Sequence, residues 1–135
     1  VTGDAEGSVA HLVGDLLPYH AARARDLGLQ LVMYEGGTHV VGLGPWQDND
    51  ALTAFFGVLN YSDEMGGLYG ELLDGWDQIA GGGLFNAYFD VGGPSKWGSW
   101  GALRSVEDDN PRWRALHERF GAAAAPVRKS DAGAN

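Results

Sequence analysis

Cysteine is absent from the 135-residue chain, which excludes a disulfide framework and any thiolate-bound metal. That fits the cytosol, or a secreted protein built without disulfides. Positive charge is scarce: 9 Lys and Arg stand against 18 Asp and Glu, for a net charge of −9. A phosphate backbone or an anionic bilayer surface would be repelled, so neither nucleic acid nor membrane is expected as a partner. A neutral ligand is indifferent to that charge. No run of about 18 apolar residues occurs, so no segment is expected to span a bilayer. Histidine is sparse as well. His11, His20, His39 and His117 form no i, i+4 pair and have no acid at ligand spacing, so no metal site is expected. Asp48-Asn49-Asp50 matches part of a calcium loop, but the closing Glu of that pattern is missing and a helix cap is the simpler reading. The glycines carry no Walker or dinucleotide fingerprint, and no cofactor is expected.

What is present suits one folded domain. Hydrophobic residues make up 44% and charged residues 20%, enough apolar material for a core and too little charge for a disordered chain. The 22 glycines imply many tight turns. Residues 1–7 are small and acidic and read as a loose lead-in; residues 122–135 are Ala-rich, then mixed polar, and read as a disordered tail. The chain opens Val1-Thr2-Gly3 without an initiator Met or a signal peptide, so a processed terminus or a piece of a longer protein is expected.

Between these ends, Ser8 is placed to cap a helix carrying Val9, Leu12, Val13, Leu16 and Leu17 at helical spacing, broken or kinked at Pro18. A second helical piece runs from Tyr19 to Leu27 and stops at Gly28. Leu29 to Glu35 then reads as a buried strand, with Leu29, Leu31 and Met33 alternating with Gln30, Val32 and Tyr34. Asp48 or Asn49 would cap a helix with an apolar stripe of Leu52, Phe55, Phe56 and Leu59. Ser62 starts another, with Met65, Leu68, Tyr69, Leu72, Leu73, Trp76 and Ile79 as core, and Gly81-Gly82-Gly83 ends it. A second strand is expected over Leu84 to Val91. A last helix has Asn110 as cap, Pro111 first, and Trp113, Leu116, His117 and Phe120 facing inward.

Two places draw chemical interest. Strand alternation puts Glu35 on the face of Leu31 and Met33, at the strand's C-terminal end and beside Gly36-Gly37. Such a carboxylate either serves a site at the strand lip or simply faces water. In the second strand Asn86, Tyr88 and Asp90 share one face, as at the mouth of a site or as the wet face of an ordinary sheet. The loop from Gly92 to Gly101 adds Lys96, Trp97 and Trp100; tryptophans in a Gly-rich loop more often form a platform than a core.

Tyr34-Glu35-Gly36-Gly37-Thr38-His39, then Leu84-Phe85-Asn86 and Pro94-Ser95-Lys96-Trp97-Gly98-Ser99-Trp100-Gly101, carry a resemblance. The chain resembles the C-terminal part of large bacterial TIM-barrel proteins similar to clan-A retaining glycoside hydrolases, across most of residues 8–120. The fold class this implies is α/β, with residues 8–121 forming strands seven and eight of a (β/α)8 barrel and their flanking helices. By the same resemblance Glu35 is the nucleophile, and Asn86, Asp90 and Lys96 bind sugar hydroxyls. Trp46, Trp97 and Trp100 stack on pyranose faces, while Tyr34, His39 and Tyr88 orient Glu35.

The chain departs from that family in two ways. A retaining glycosidase needs a second carboxyl about 5–5.5 Å from the first, which the clan supplies from strand four as an Asn-Glu pair; no such pair exists here. Asp90, Asp63 and Glu64 are internal substitutes, and only Asp90 sits at a comparable strand end. A whole barrel also takes about 250 residues. The expectation is therefore a missing N-terminal barrel portion, self-association, or a small fold of the chain's own. Three functions follow: a segment of a retaining glycoside hydrolase acting on polysaccharide outside the cell, a non-catalytic carbohydrate-binding module, or a structural fragment whose strand edges pair with another chain. The first is the leading expectation for the parent protein.

Overall fold

A computed structural model describes residues 5–121 as a small mixed α/β unit. The expected tail, and residues 1–4 of the lead-in, lie outside the described residues. At the N-terminal end Ser8 caps as its position suggested, its Oγ accepting from the His11 amide at 3.1 Å. Helix α1 (Val9–His11) continues through a π-helical turn (Leu12–Leu16) into α2 (Leu17–Asp26). The wide turn is how the chain accommodates Pro18. Proline has no amide hydrogen, and its ring crowds the carbonyl four residues back; here Leu17 reaches five back, to the Leu12 carbonyl. After Asp26 the chain leaves the helix through Gly28, at φ +68°.

Strand β1 is shorter and wetter than its sequence suggests. It spans only Met33–Gly36; Leu29 and Val32 before it are exposed, while Leu31 and Met33 pack half-buried on the core. β1 pairs in parallel with β2 (Phe85–Ala87), Met33 opposite Phe85 and Gly36 opposite Ala87. One more residue stands between the paired positions on β1 than on β2, so the strand bulges. That extra residue defeats the alternation expected for Glu35: Tyr34 and Glu35 both face outward, and Gly36 is the residue that turns in. A side chain could not follow it, because a Cβ on Gly36 would lie 2.4 Å from the Phe85 ring.

The expected single strand over Leu84 to Val91 is two. It breaks at Tyr88, and β3 (Phe89–Val91) leaves β2 to pair in parallel with β4 (Gly101–Leu103), Phe89 opposite Gly101 and Val91 opposite Leu103. The barrel expectation is thereby overturned. β1 and β2 do lie parallel as neighbouring barrel strands would, but the described strands form two separate two-stranded sheets and close no barrel. Strands of three or four residues interrupted by a bulge and a break cannot continue as long tilted staves.

The helices follow the sequence more closely. Asn49, rather than Asp48, caps α3 (Asp50–Leu59), accepting from the Leu52 amide at 2.9 Å. α3 lies on the surface: Leu52, Phe56 and Leu59 are half-buried, and Phe55 and Val58 are exposed. Ser62 caps α4 (Asp63–Ala80), which Gly81 ends at φ +58°. α4 supplies most of the core. Met65, Tyr69, Leu72, Leu73 and Trp76 are buried against Leu17, Phe85, Ala102 and Leu116, with α1 and α2 to one side and α5 (Pro111–Phe120) on the other. At the start of α5 Asn110 accepts from the Trp113 amide at 3.0 Å, with Pro111 first, as expected. Its inward face is as expected only in part. Leu116 is buried, Trp113 half-buried, and Phe120, though partly exposed, stacks on the buried Phe85 ring, but His117 is exposed and Arg112 lies inside.

Candidate functional site

The bulge in β1, the break at Tyr88 and the loop before β4 meet at one cleft of about 270 Å³, lined by Glu35, Gly36, Gly37, Thr38, His39, Tyr88 and Trp100. One lip is the segment after β1, where the Thr38 amide donates to the Tyr69 hydroxyl of α4 at 3.1 Å. The other lip carries Trp100. The two are joined by His39, whose ring lies 5.4 Å from the Trp100 ring and whose Nε2 is 3.1 Å from the Trp97 carbonyl. A carbonyl only accepts, so this bond requires the ring protonated on Nε2. Tyr88 meets Trp100 edge to face at 5.6 Å and 83°. Gly98 makes room for the indole: it sits at φ +146°, and a Cβ there would lie 2.6 Å from Trp100 Nε1.

Of the residues expected at a site, Glu35, His39, Tyr88 and Trp100 come together and the others do not. Tyr34 points away, 77% exposed; its carbonyl accepts from the Asn86 side chain at 2.7 Å, so Asn86 stitches β2 to β1 instead of reaching the cleft. Asp90 is exposed on β3, outside the lining, and so is not placed as a partner to Glu35. Trp46 stands 61% exposed in the 3₁₀ turn Gly44–Trp46. Lys96 pairs with Asp48 at 2.5 Å and lies 4.9 Å over the ring of Trp97, which is itself exposed. The Lys96–Asp48 pair ties the loop that carries Trp46 to the loop that carries Trp97 and Trp100. Asp63 lines a separate groove of about 590 Å³ between α4 and α5, where charges pair with each other, Arg119 with Asp74 and Asp77 and Arg114 with nearby Asp109. Glu64 lies exposed in the first turn of α4, outside the cleft's lining; the Ser62 hydroxyl foremost, then its own amide, lowers its carboxyl from its ordinary value.

Three contributors carry little signal in the sequence. Thr38 lines the cleft between Glu35 and His39. Tyr69 belongs to the core stripe of α4, yet its hydroxyl reaches the cleft's lip. Arg112 gave no signal at all, because an arginine on an amphipathic helix is ordinarily outside. Among the described residues that line the cleft, Glu35 is the only carboxylate. Nowhere among the described residues do three His, Asp or Glu side chains gather so as to hold a metal ion. No described helix is long and apolar enough to cross a membrane.

No protein-family model matches the chain, and neither does any curated protein or solved structure. The chemistry of the cleft has to be read from its own residues.

Proposed function

We propose that the cleft binds a neutral oligosaccharide or a short stretch of polysaccharide. The observation that carries this reading is the meeting of Trp100, Tyr88 and His39 around one carboxylate, Glu35. The C–H faces of a pyranose suit an indole, and its hydroxyls suit a carboxylate that only accepts. A chain of net charge −9 favours a neutral ligand over an anionic one. Exposed Trp97, whose carbonyl is bonded to His39 of the cleft, offers a further apolar face to a longer chain. A polysaccharide ligand also suits a secreted protein, where such polymers are met.

Calorimetry with a panel of soluble oligosaccharides of cello-, xylo-, manno- and chito- type tests the reading. Trp100→Ala is expected to weaken the one that binds by about 1–3 kcal/mol, as for a central stacking residue. A wild-type chain that binds none of them, or a variant that binds equally well, sinks it.

A second reading keeps the resemblance to retaining glycoside hydrolases and makes Glu35 the nucleophile, supported by its place on the cleft. It requires a second carboxyl from residues other than those described at the cleft. Its test is Glu35→Gln in the complete protein, which should abolish turnover and keep binding; unchanged turnover rejects it.

A further inference from the structure

We propose that Arg112 is a positioning residue for this cleft, fixing Trp100 through the backbone carbonyls on either side of it; the inference rests on the sugar-binding reading above. Arg112 is 0% exposed. Its partners are carbonyls and aromatic faces rather than a carboxylate. Nη1 donates to the Ser99 carbonyl at 2.8 Å and Nη2 to the Gly101 carbonyl, while the guanidinium lies 4.5 Å from the centre of the Tyr61 ring and 5.7 Å from that of Tyr69. Nε has no hydrogen-bond partner among the described residues. A cation buried without a counter-ion is costly, and an apolar side chain would fill the space without that cost.

What the arginine adds is geometry. Its planar fork holds two acceptors at a set separation, and here those acceptors belong to the residues immediately before and after Trp100. The peptide plane that enters Trp100, Ser99–Trp100, and the one a residue beyond it, Gly101–Ala102, are thereby anchored, so the backbone of Trp100 is held between two fixed planes and with it the direction in which the indole leaves. Tyr61 adds to the clamp, its hydroxyl donating to the same Gly101 carbonyl at 3.1 Å. Tyr69, whose ring centre also lies near the guanidinium, accepts from Thr38 on the opposite lip. One buried cluster thus touches both walls of the cleft.

Arg112→Lys keeps the charge and loses the fork. In proton–nitrogen NMR spectra without ligand, the backbone and indole signals of Trp100 should shift or broaden. The indole signal of Trp76, held in the core by a 2.9 Å bond to the Gly83 carbonyl, should stay in place. Affinity for the bound oligosaccharide should fall by about tenfold or more. A folded R112K protein with unmoved Trp100 signals overturns the proposal. Should R112K not fold, the wild-type chain decides: slowly exchanging guanidinium protons with through-bond couplings to the Ser99 and Gly101 carbonyl carbons support the clamp, and rapid exchange without couplings overturns it. A wild-type chain that binds no oligosaccharide rejects the sugar reading alone, since the ligand-free spectra still decide how Trp100 is placed.

Discussion

Gly36 shows how one missing side chain shapes the site. It is buried in the bulge, with the Phe85 ring and the Met33 side chain where its Cβ would stand. Gly36→Ala should therefore destabilise the fold by about 1–3 kcal/mol, the usual cost of overpacking; the urea midpoint measures it, and an unchanged midpoint would mean the bulge relaxes freely. Asp108 makes a second case. The Arg104 guanidinium foremost, then the Arg104 amide and the Asn110 side chain, hold its carboxyl well below the usual carboxylate range. A carboxyl lowered on folding stabilises the native state above its ordinary value, about 3.9, and that contribution is lost as the pH falls below it. Urea midpoints between roughly pH 2 and 6 should fall toward the acid end for the wild-type chain and less steeply for Asp108→Asn.

Among the elements, the helices were legible, and the first two strand regions were placed but not their lengths, their break or their pairing. Ser8, Asn49, Ser62 and Asn110 cap where local chemistry put them, because a cap needs only an amide three residues on. The stripe on α4 became core for the same local reason. Asn110 has a larger part than its cap. Its side-chain amide also donates to the Ala102 carbonyl at 2.9 Å, tying α5 to β4 next to the Arg112 clamp. Asn110→Ala should cost about 1–3 kcal/mol, counting a lost cap and a buried carbonyl left unpaired. Thermal unfolding followed by circular dichroism would show it, and a loss of under about 0.5 kcal/mol would reduce Asn110 to an ordinary surface cap.

For the whole molecule the open question is what its edges do. Two-stranded sheets leave outer strand edges unpaired among the described residues, and α3 shows Phe55 and Val58 to solvent. Both features favour association, while a net charge of −9 opposes it. The chain should therefore be monomeric at about 0.02 M salt and associate at about 0.5 M, where that charge is screened. Sedimentation velocity at the two salt concentrations checks this; a monomer at both would remove a second copy of the chain as a partner.

The sequence by itself determined the helices, their caps and the α4 core stripe. Each of these depends on periodicity or on contacts within a few residues. Only the tertiary structure decided that Glu35 turns outward at a bulge, that the second strand divides between two sheets, and that Asn86 and Asp90 lie outside the cleft. It also decided that Arg112 lies inside, under Trp100. Those outcomes are set by pairing register and by contacts between segments remote along the chain, and a strand shifted by one residue turns every side chain to its other face.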